Sequence, residues 1–537
     1  MRKGYDYIVL GAGSAGCAIA YRLSQNPNVT VCVLEAGGPD RHPFIHMPAG
    51  YTKCVGPRFN WSYRTVPQKH MHNREMYIPQ GRLYGGSSSI NGQVYIRGAR
   101  EDYDTWRDEL QLEGWGYDNV LRLFKKSENN HRIADDYHGD AGPLHVSDIT
   151  FTSPATKLLV EAGQQYGMPY NRDFNGARQA GIGIYQSTHF KARRWSAASA
   201  FLHPAMKQPN VDVLPHALVK RVIIENNRAV GVEFIRDGGD GREVKRLSAD
   251  VEVIVSSGTF NSPKILMMSG IGPAAHLKEV GIAPKADLSG VGQNLQDHLD
   301  INVVVKCVDD PPISFNGMDR GLKKFQVGLQ YIMFKNGPVA SSGVESGGFI
   351  KSSEDVDRPD LQMHLLPSYV RAHGLEPMPG QWLTMHCCNL RPKSRGELRL
   401  RSNDPRDIAV LDPRTCSDPY DVKVMVAAVR HSLELFRQRA FKNYVVEERW
   451  PTPQKRSDEE IAEFVRGEAE TCYHPVGTCK MGKDAMAVVD ERLRVRGIDA
   501  LRVADASIMP LAPSGNTNAP SIMVGEHCAE MIQRDHN

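Results

Sequence analysis

The chain has 537 residues, of which 41% are apolar and 24% charged, with a formal net charge of +3 at pH 7. This length exceeds what one hydrophobic core usually supports, so we expect two domains or one elaborated pair. So small a net charge gives no reason to expect nucleic acid or a strongly acidic partner, and no apolar run approaches the roughly 18–20 residues of a membrane span.

Ten cysteines are scattered along the chain, and none of their spacings follows a zinc-binding pattern. Residues 1–4 lead directly into a β-prone run, without the apolar stretch typical of a signal peptide. We therefore expect a cytoplasmic protein with reduced thiols and no structural metal. Its contact with a membrane, such as the bacterial inner membrane, is expected to be peripheral at most.

The first 35 residues follow the pattern of a dinucleotide site. Tyr5–Leu10 is a short β-prone run that stops at the glycine turn Gly11–Gly16. A helix-like stretch and a second β-prone run, Val29–Leu34, come next, and Glu35 follows where an acid can bind ribose hydroxyls. The pattern predicts a bound NAD or FAD without choosing between them. The alternative is a tight turn without a ligand.

A second glycine-rich element, Gly81–Gly92, follows a long stretch at 36–80 that lacks clear periodicity. Gly85–Ser89 places small residues and hydroxyls where a backbone can touch a flat or anionic ligand. Ile90 and Val94 make the flank apolar, as in a buried segment. The alternative is a flexible surface loop. An NAD enzyme does not need such an element, so it favours a larger cofactor lying along residues 81–94.

Periodicity and turn residues divide the rest of the chain into elements. Helices are predicted within 97–106, at 108–130 and at the start of 155–205, where loops follow. Strands are predicted at 211–214, 217–224, 229–234 and 251–255, with a turn at 237–242 and a helix after 258. Alternating runs within 300–450 predict an antiparallel sheet, with helices near 421–438 and 458–467. The stretch 470–537 returns to short strands and a closing helix.

Two polar residues near the end of the chain are candidates for chemistry. His474 lies beside Pro475 and Gly477, which restrict the backbone, and a histidine can accept a proton near neutral pH. A lone histidine is, however, more often an ordinary core or surface residue. Asn516 precedes a helix start at Asn518 and could donate a hydrogen bond to a substrate oxygen. The alternative there is an ordinary capped helix.

Taken together, these motifs resemble the glucose–methanol–choline (GMC) oxidoreductase family, and the resemblance covers essentially the whole chain. Within the family, the chain resembles bacterial alcohol dehydrogenases of the choline dehydrogenase type, and His42–Pro48 and 168–185 resemble sorbose dehydrogenase. The segments that carry the family resemblance are Gly11–Gly16, Leu34–Pro39, Gly81–Arg82, Gly85–Gly92, Gly258–Pro263, Ser269–Gly272, Gly290–His298, His474–Gly482, Ala504–Pro510 and Asn516–Pro520.

The resemblance implies an α/β fold, α+β overall, in which a Rossmann-like FAD-binding domain is joined to a mainly antiparallel substrate domain. The FAD-binding domain is expected at 1–154, 209–300 and 468–537, and the substrate domain at 155–208 and 301–467. The residues that the resemblance assigns to the cofactor are Gly11, Gly13, Ser14, Ala15, Gly16, Glu35, Ala36, Arg82, Gly85, Gly86, Ser87, Ser88, Asn91, Gly92, Val94, Val219, Asp505, Ala506 and Asn518.

The mode of FAD attachment is predicted from one position. Some family members attach FAD covalently through a histidine in the segment that matches 85–91, where this chain has Ile90. We therefore expect noncovalent FAD. Tyr84 stands where an aliphatic residue is usual in the family, which we interpret as a difference in packing.

The expected reaction is oxidation of an alcohol to an aldehyde or ketone. The resemblance makes His474 the catalytic base and Asn516 its partner, with hydride transfer from the substrate to flavin N5. Turnover is expected to fall at acid pH, with the ordinary histidine pKa of about 6.5 as the starting value. The alternatives are an NAD dehydrogenase, a flavin-containing hydroxynitrile-type lyase and a flavin protein without catalysis, which the presence of both His474 and Asn516 disfavours.

The substrate and the electron acceptor are less determined. Glu345 could attract a cation such as choline, but we favour a solvated loop acid at this position. A primary alcohol, a polyol or a sugar such as sorbose fits at least as well. The acceptor is oxygen, a quinone or a dye-type acceptor, of which the resemblance to dehydrogenases favours the last two.

Overall fold

A computed structural model describes residues 2–236, 243–374, 376, 378–454 and 456–536. The strands are, in chain order, β1 Gly4–Leu10, β2 Val31–Leu34, β3 Tyr63–Arg64, β4 Tyr77–Ile78, β5 Glu128–Asn130, β6 Leu144–Asp148, β7 Gly181–Ile184, β8 Gln186–Ser187, β9 His189–Phe190, β10 Arg193–Arg194, β11 Val211–Leu214, β12 Ala217–Glu225, β13 Arg228–Arg236, β14 Val244–Val255, β15 Ile271–Gly272, β16 Ala286–Asp287, β17 Leu299–Cys307, β18 Ser346–Ile350, β19 Leu361–Leu366, β20 Gln381–Asn389, β21 Glu397–Arg399, β22 Val410–Asp412, β23 Val445–Trp450, β24 Glu470–Thr471 and β25 Leu501–Val503. The helices are α1 Ser14–Ser24, α2 Pro43–His46, α3 Arg100–Asp108, α4 Tyr117–Ser127, α5 Pro154–Gln165, α6 His203–Ala205, α7 Gly258–Met268, α8 Ala274–Glu279, α9 Gly321–Phe334, α10 Pro419–Phe436, α11 Asp458–Glu468 and α12 Asn518–His536.

The first large sheet is built around β1. Its strand order is β11-β2-β1-β14-β13-β12, and β25 also pairs with β14. The pairs that join β11, β2, β1, β14 and β25 are parallel, whereas β12 and β13 pair antiparallel. Ile8, Val9 and Leu10 are fully buried, as expected for a strand covered on both faces. Helices α1 and α12 pack against each other beside this sheet.

The second large sheet is antiparallel throughout. Its order is β23-β17-β20-β19-β18-β7, with β24 also paired to β17. Successive side chains of β19 point to opposite faces of the sheet, and the two faces have different surroundings. Leu361, Met363 and Leu365 belong to the core that this sheet shares with α10, while His364 and Leu366 line a cavity on the other face.

This architecture confirms the predicted fold class, a Rossmann-like parallel sheet joined to a mainly antiparallel one. Strands of the two sheets alternate along the chain largely as the five predicted segments do, except that β24 joins the second sheet although it lies within 468–537. The domain bounds themselves stay a prediction.

Most predicted elements are present within a few residues of their expected bounds, and one is wrong. The helix predicted at 108–130 is confined to α4, because Gly114, with φ +84°, and Gly116 interrupt the chain between α3 and α4. The turn predicted at 237–242 lies outside the described residues. All ten cysteines are free, and nine of them are buried. None of the described helices is long and apolar enough to cross a membrane.

Candidate active site

A cavity of about 1000 Å³ lies between the two large sheets. On the side of the first sheet it begins where parallel strands end, since Gly11, Glu35, Ser256 and Asp505 line it and follow β1, β2, β14 and β25 within two residues. The carboxyl ends of parallel strands are the usual ligand site of such sheets. The volume is at the upper end of the range for small-molecule sites, as a dinucleotide requires.

Most of the predicted site residues line this cavity, and they include both the glycine turn and His474. The predicted residues that line it are Gly11, Gly13, Ser14, Ala15, Glu35, Ala36, Gly86, Ser87, Asn91, Gly92, Val94, Val219, His474, Asp505, Ala506, Asn516 and Asn518. The predicted residues outside the lining are Gly16, Arg82, Gly85, Ser88 and Glu345.

The glycine turn has the shape that an anionic ligand needs. Gly11 has φ +108°, and a Cβ there would lie 2.4 Å from the Ser256 carbonyl oxygen. A Cβ at Gly16 would lie 2.1 Å from the Gly11 carbonyl oxygen, so this glycine serves the packing of α1 and not the lining. A Cβ at Gly13 meets nothing closer than 4.0 Å and would project into open space. Gly13 also begins α1 without a side-chain cap, so the helix N-terminus faces the cavity.

Glu35 is buried beside the glycine turn. One carboxylate oxygen accepts a hydrogen bond from the Gly37 N–H at 2.7 Å, and the other accepts from the Ala12 N–H at 3.0 Å. Burial raises the pKa of this carboxyl, while the two backbone donors and Arg82 act in the opposite direction. Glu35 therefore fixes the glycine turn relative to the end of β2, and it also lines the cavity.

The second glycine-rich element is held rigidly. Ser88 is buried and donates to the Gly85 carbonyl at 2.6 Å, and it accepts from the Ala197 N–H at 2.9 Å. The fully buried guanidinium of Arg194 donates to the Ser88 carbonyl at 3.1 Å and to Asn91 Oδ1 at 2.6 Å. The alternative of a flexible surface loop is therefore wrong for this element.

His474 lies at the centre of a group of polar side chains at the cavity. Its Nε2 lies 3.1 Å from Asn516 Nδ2, and its Nδ1 lies 3.0 Å from His298 Nδ1. Gln362, on β19, donates from Nε2 to Asn516 Oδ1 at 3.1 Å, which turns the amide nitrogen of Asn516 toward His474. The second sheet thus orients Asn516, and Asn516 faces the imidazole.

The pKa of His474 is lowered well below the ordinary histidine value. Burial is the main cause, and the neighbouring imidazoles of His298 and His364 add to it. The expectation of titration near the ordinary value is therefore wrong, because a buried imidazole loses the hydration that stabilises its charged form. Burial likewise lowers the pKa of His298 to about 4. Neutral imidazoles thus occupy this part of the cavity at neutral pH.

The backbone at His474 is held by an acid that the sequence analysis did not single out. Asp297 accepts from the His474 N–H at 2.9 Å and from the Thr471 hydroxyl. Burial raises the pKa of Asp297 to about 7. Tyr473, just before the histidine, has φ +65°, an unfavourable conformation for a tyrosine, and its hydroxyl lies 2.6 Å from His373 Nδ1.

The expectation for Glu345 is wrong. Its side chain is fully buried, not solvated, and its carboxylate accepts from the Ser153 N–H at 2.7 Å and from the hydroxyls of Thr156 and Ser341. Val344 lines the cavity, whereas Glu345 turns away from it. These donors explain why a carboxylate is present in this loop.

Sequence reasoning also missed His298 and Gln362, which act on the candidate pair directly. His298 ends the segment Gly290–His298, whose place in the family pattern was noted without a role. The sequence around Gln362 contains no motif that indicates a role at the site. The absence of a metal stays a prediction. Two groups of described residues place potential ligand atoms within 4.8 Å of one another, namely His364, Cys388 and Cys472, and Asp135, His138 and Asp173.

Comparison with known proteins finds family models and relatives that all point to the same family. Residues 5–300 and 392–525 match family models that are described as GMC oxidoreductase. The chain is 46% identical over 535 residues to an alcohol dehydrogenase [acceptor] of Pseudomonas putida, covering 99% of this chain and 96% of the relative. It is 44% identical over 530 residues to an oxygen-dependent choline dehydrogenase of Sinorhizobium fredii, covering 98% and 95%.

A solved structure of a formate oxidase variant from Aspergillus oryzae, studied for FAD modification, superposes with a TM-score of 0.92. It shares 28% sequence identity, and the match covers 100% of this chain and 99% of the other. FAD is the cofactor of GMC oxidoreductases and of this oxidase. The open space at Gly13, the uncapped start of α1 and the volume of the cavity fit FAD, so this expectation is confirmed.

Proposed function

The chain belongs to the GMC oxidoreductase family, and on this premise we propose that it oxidises an alcohol to an aldehyde or ketone with His474 as proton acceptor. The observation that carries the proposal is the His474–Asn516 pair, which lines the cavity and has a distance of 3.1 Å between Nε2 and Nδ2. A neutral imidazole can accept a hydroxyl proton, and the lowered pKa keeps His474 neutral at physiological pH.

The hydrogen bonds around His474 favour the tautomer that this role needs. The amide nitrogen of Asn516 can only donate, so the His474 Nε2 that faces it acts as acceptor. The proton of the neutral ring then sits on Nδ1, which donates to His298 Nδ1 at 3.0 Å. His298 in turn carries its own proton on Nε2. His298 is therefore a positioning residue that keeps the accepting nitrogen of His474 directed at the cavity.

In the proposed reaction the substrate hydroxyl replaces the direct hydrogen bond between Asn516 Nδ2 and His474 Nε2, so that its oxygen faces Asn516 and its proton faces His474. Asn516 donates to the substrate oxygen and so fixes its orientation, while His474 accepts the hydroxyl proton. FAD supplies the two-electron oxidant that accepts the hydride from the carbinol carbon. Asp297, which holds the His474 backbone, keeps the base in place while the proton moves.

We propose that the substrate is an uncharged alcohol with an apolar body. The cavity wall from the second sheet and its loops includes Val344, Leu366, Tyr369 and Val370, and its described residues between 338 and 386 include no carboxylate. A cation such as choline would have no acid in that part of the wall to pair with, because Glu345 faces away. Asp319, which lines the cavity just before α9, is paired with Lys53 at 3.2 Å. The alcohol dehydrogenase relative supports this choice, whereas the choline dehydrogenase relatives support the alternative.

The proposal predicts the behaviour of one variant under anaerobic conditions. His474→Ala should bind FAD and remain yellow, because it leaves the glycine turn and the Gly85–Gly92 element unchanged. Its flavin should be bleached by a medium-chain primary alcohol about 10²–10⁴-fold more slowly than that of the unchanged enzyme, the usual contribution of a general base. Stopped-flow absorbance measures the rate, and His70→Ala, at an exposed histidine, is the matched control.

Bleaching of His474→Ala at the unchanged rate would exclude His474 as the base. An unchanged enzyme that stays yellow with primary alcohols, sorbose and choline alike would exclude alcohol oxidation and favour the lyase. Faster bleaching by choline than by neutral alcohols would contradict the uncharged substrate. Re-oxidation of the bleached enzyme by a quinone or by oxygen then identifies the acceptor, for which we propose a quinone-type molecule.

We propose that FAD is bound without a covalent bond, because Ile90 stands where some relatives carry the attaching histidine. Ile90 lines the cavity, and its side chain offers no nucleophile. Acid precipitation of the yellow holoenzyme should therefore leave essentially all flavin absorbance in the supernatant. Flavin that stays with the precipitate after washing would contradict the proposal.

A further inference from the structure

Helix α9 exposes an unusual amount of apolar surface. Its exposed fractions reach 74% at Leu322 and at Phe325 and 70% at Phe334. This helix of 14 residues carries six of the thirteen large apolar side chains that are exposed among the described residues. The six are Leu322, Phe325, Leu329, Ile332, Met333 and Phe334. Contiguous apolar surface of this kind marks an interaction site.

The contacts of α9 with the rest of the protein leave this apolar surface facing outward. Tyr331 is the buried residue of the helix, and its hydroxyl donates to the Ala192 carbonyl at 2.9 Å. At 3.6 residues per turn, or about 100° per residue, Leu322, Leu329 and Met333 lie on the side opposite Tyr331, and Phe325 lies next to them. Ile332 lies at the edge between the two sides, where it also borders the cavity. One face therefore attaches the helix to the protein, while the apolar face has no partner among the described residues.

The charged residues of α9 and of its two flanking positions are all basic. Arg320, Lys323, Lys324 and Lys335 are exposed, and the stretch 320–335 contains no acidic residue. The acid just before it, Asp319, is paired with Lys53 at 3.2 Å. A helix with an apolar face and basic flanks is typical of segments that lie in the headgroup region of a membrane.

We propose that α9 docks this protein on the surface of an anionic phospholipid bilayer, with its apolar face in the headgroup–acyl boundary and its basic residues on the lipid phosphates. A second copy is a poorer occupant, because a two-fold contact through this face would bring two acid-free basic stretches together. An α9 of 14 residues lies in the plane of the membrane and is too short to cross it.

Docking in this way has a consequence for access to the cavity. Lys324, Val327, Gly328, Tyr331 and Ile332 belong to α9 and also line the cavity. The helix therefore forms part of the cavity mouth, and docking places that mouth against lipid. The proposal goes beyond the alcohol oxidation proposed above and does not depend on it.

The test is sedimentation of the holoenzyme with vesicles. The protein should pellet with vesicles of equal parts phosphatidylglycerol and phosphatidylcholine and much less with phosphatidylcholine alone. The variant Phe325→Glu/Leu329→Glu should lower the partition coefficient at least tenfold, since each large side chain contributes about 1.5–3 kcal/mol on burial. The matched control Met206→Glu/Val446→Glu changes two exposed apolar residues elsewhere and should bind as the unchanged protein does.

A second variant measures the electrostatic contribution to vesicle binding. Lys323→Gln should weaken binding to the anionic vesicles about fivefold, from roughly 1 kcal/mol for each basic residue near the membrane surface, and leave binding to phosphatidylcholine unchanged. Retained flavin colour shows that each variant is folded. A holoenzyme that stays in the supernatant with both vesicle types would overturn the proposal. So would a lipid-free dimer in analytical ultracentrifugation that Phe325→Glu/Leu329→Glu dissociates, because the second copy would then be the occupant.

Discussion

At the scale of single residues, the candidate site depends on imidazoles that stay uncharged. His474, His298 and His364 are buried near one another, and burial is the main cause that lowers the pKa of each. His298 and His364 lower the pKa of His474 further, because each would repel a second positive charge there. A base is active when it is neutral, so lowering its pKa extends activity toward acid pH. The acid limb of kcat/KM should accordingly lie below the ordinary histidine pKa of about 6.5.

His298→Phe tests this arrangement. The variant removes the acceptor for Nδ1–H of His474, so the tautomer with an accepting Nε2 loses its support and kcat should fall at least about tenfold. It also removes one repulsive neighbour, so the acid limb should move to higher pH. The measurement is the pH profile of kcat/KM on the holoenzyme, and His298→Asn, which keeps a polar acceptor, should recover part of the rate.

An unchanged rate and an unchanged acid limb in His298→Phe would remove His298 from the mechanism. A lower rate together with lost flavin would instead indicate a purely structural role.

The residues of the candidate site show which features can be predicted from the sequence and which cannot. His474 and Asn516 could be named because the sequence around each one is distinctive. The roles of His298 and Glu345 depend on contacts 176 and 189 positions away, to His474 and to Thr156. The burial of a side chain and its contacts with residues so far away in the sequence are known only once the chain has folded. For this reason the expectation of a solvated acid at Glu345 and that of an ordinary pKa at His474 were both wrong.

At the scale of elements, the unit of β1, the glycine turn, α1 and β2 was predictable because its determinants are local. The strand ends at a residue with positive φ, the helix starts uncapped, and the acid follows the next strand. The helix predicted at 108–130 failed for an equally local reason, since Gly114 and Gly116 outweighed the apolar positions of α4. The pairing of β11 with β2 and of β25 with β14 could not be predicted, because no residue pattern within these strands indicates which strand each one pairs with.

Gly11→Ala tests the local unit. The new Cβ would lie 2.4 Å from the Ser256 carbonyl oxygen, at a φ of +108° that alanine disfavours. We expect loss of bound flavin and a lower unfolding midpoint. Gly467→Ala, in α11, is the control, because a Cβ there meets nothing within 4 Å and alanine should stabilise the helix by about 0.5–1 kcal/mol.

Flavin absorbance per protein and thermal melting measure both effects. Full flavin occupancy in Gly11→Ala would show that the turn tolerates a side chain and that its glycine is not needed for the cofactor.

At the scale of the whole molecule, the two ends of the chain are bound together beside the cavity. Arg22 of α1 donates to Glu526 of α12 at 2.6 and 2.9 Å, and Glu526 is fully buried. Ser14, at the start of α1, donates to Asn518 Oδ1 at 2.8 Å at the start of α12. The pairing of such distant segments is not readable from the sequence, although each helix by itself was predicted.

Glu526→Ala tests this connection. It leaves Arg22 and the Ser127 hydroxyl without their buried acceptor, and it should lower the free energy of unfolding by about 3 kcal/mol, the low end for a buried pair because Arg22 is partly exposed. Urea unfolding followed by flavin fluorescence measures the change. Asp458→Asn, which breaks the exposed pair with Arg430, is the control and should cost at most about 1 kcal/mol.

A Glu526→Ala variant as stable as the control would show that the helix pair is held by apolar contacts alone.

The contact of α1 with α12 also determines when, during synthesis, the protein can first hold its cofactor. A nascent chain that has emerged from the ribosome only as far as β14 has the glycine turn and Glu35, but it lacks β25 beside β14 and the helix that covers α1. His474, Asp505 and Asn518, which also line the cavity, are translated long after β14. The apolar faces that α12 will cover therefore stay open until α12 itself has been made, and stable flavin loading should follow the synthesis of α12.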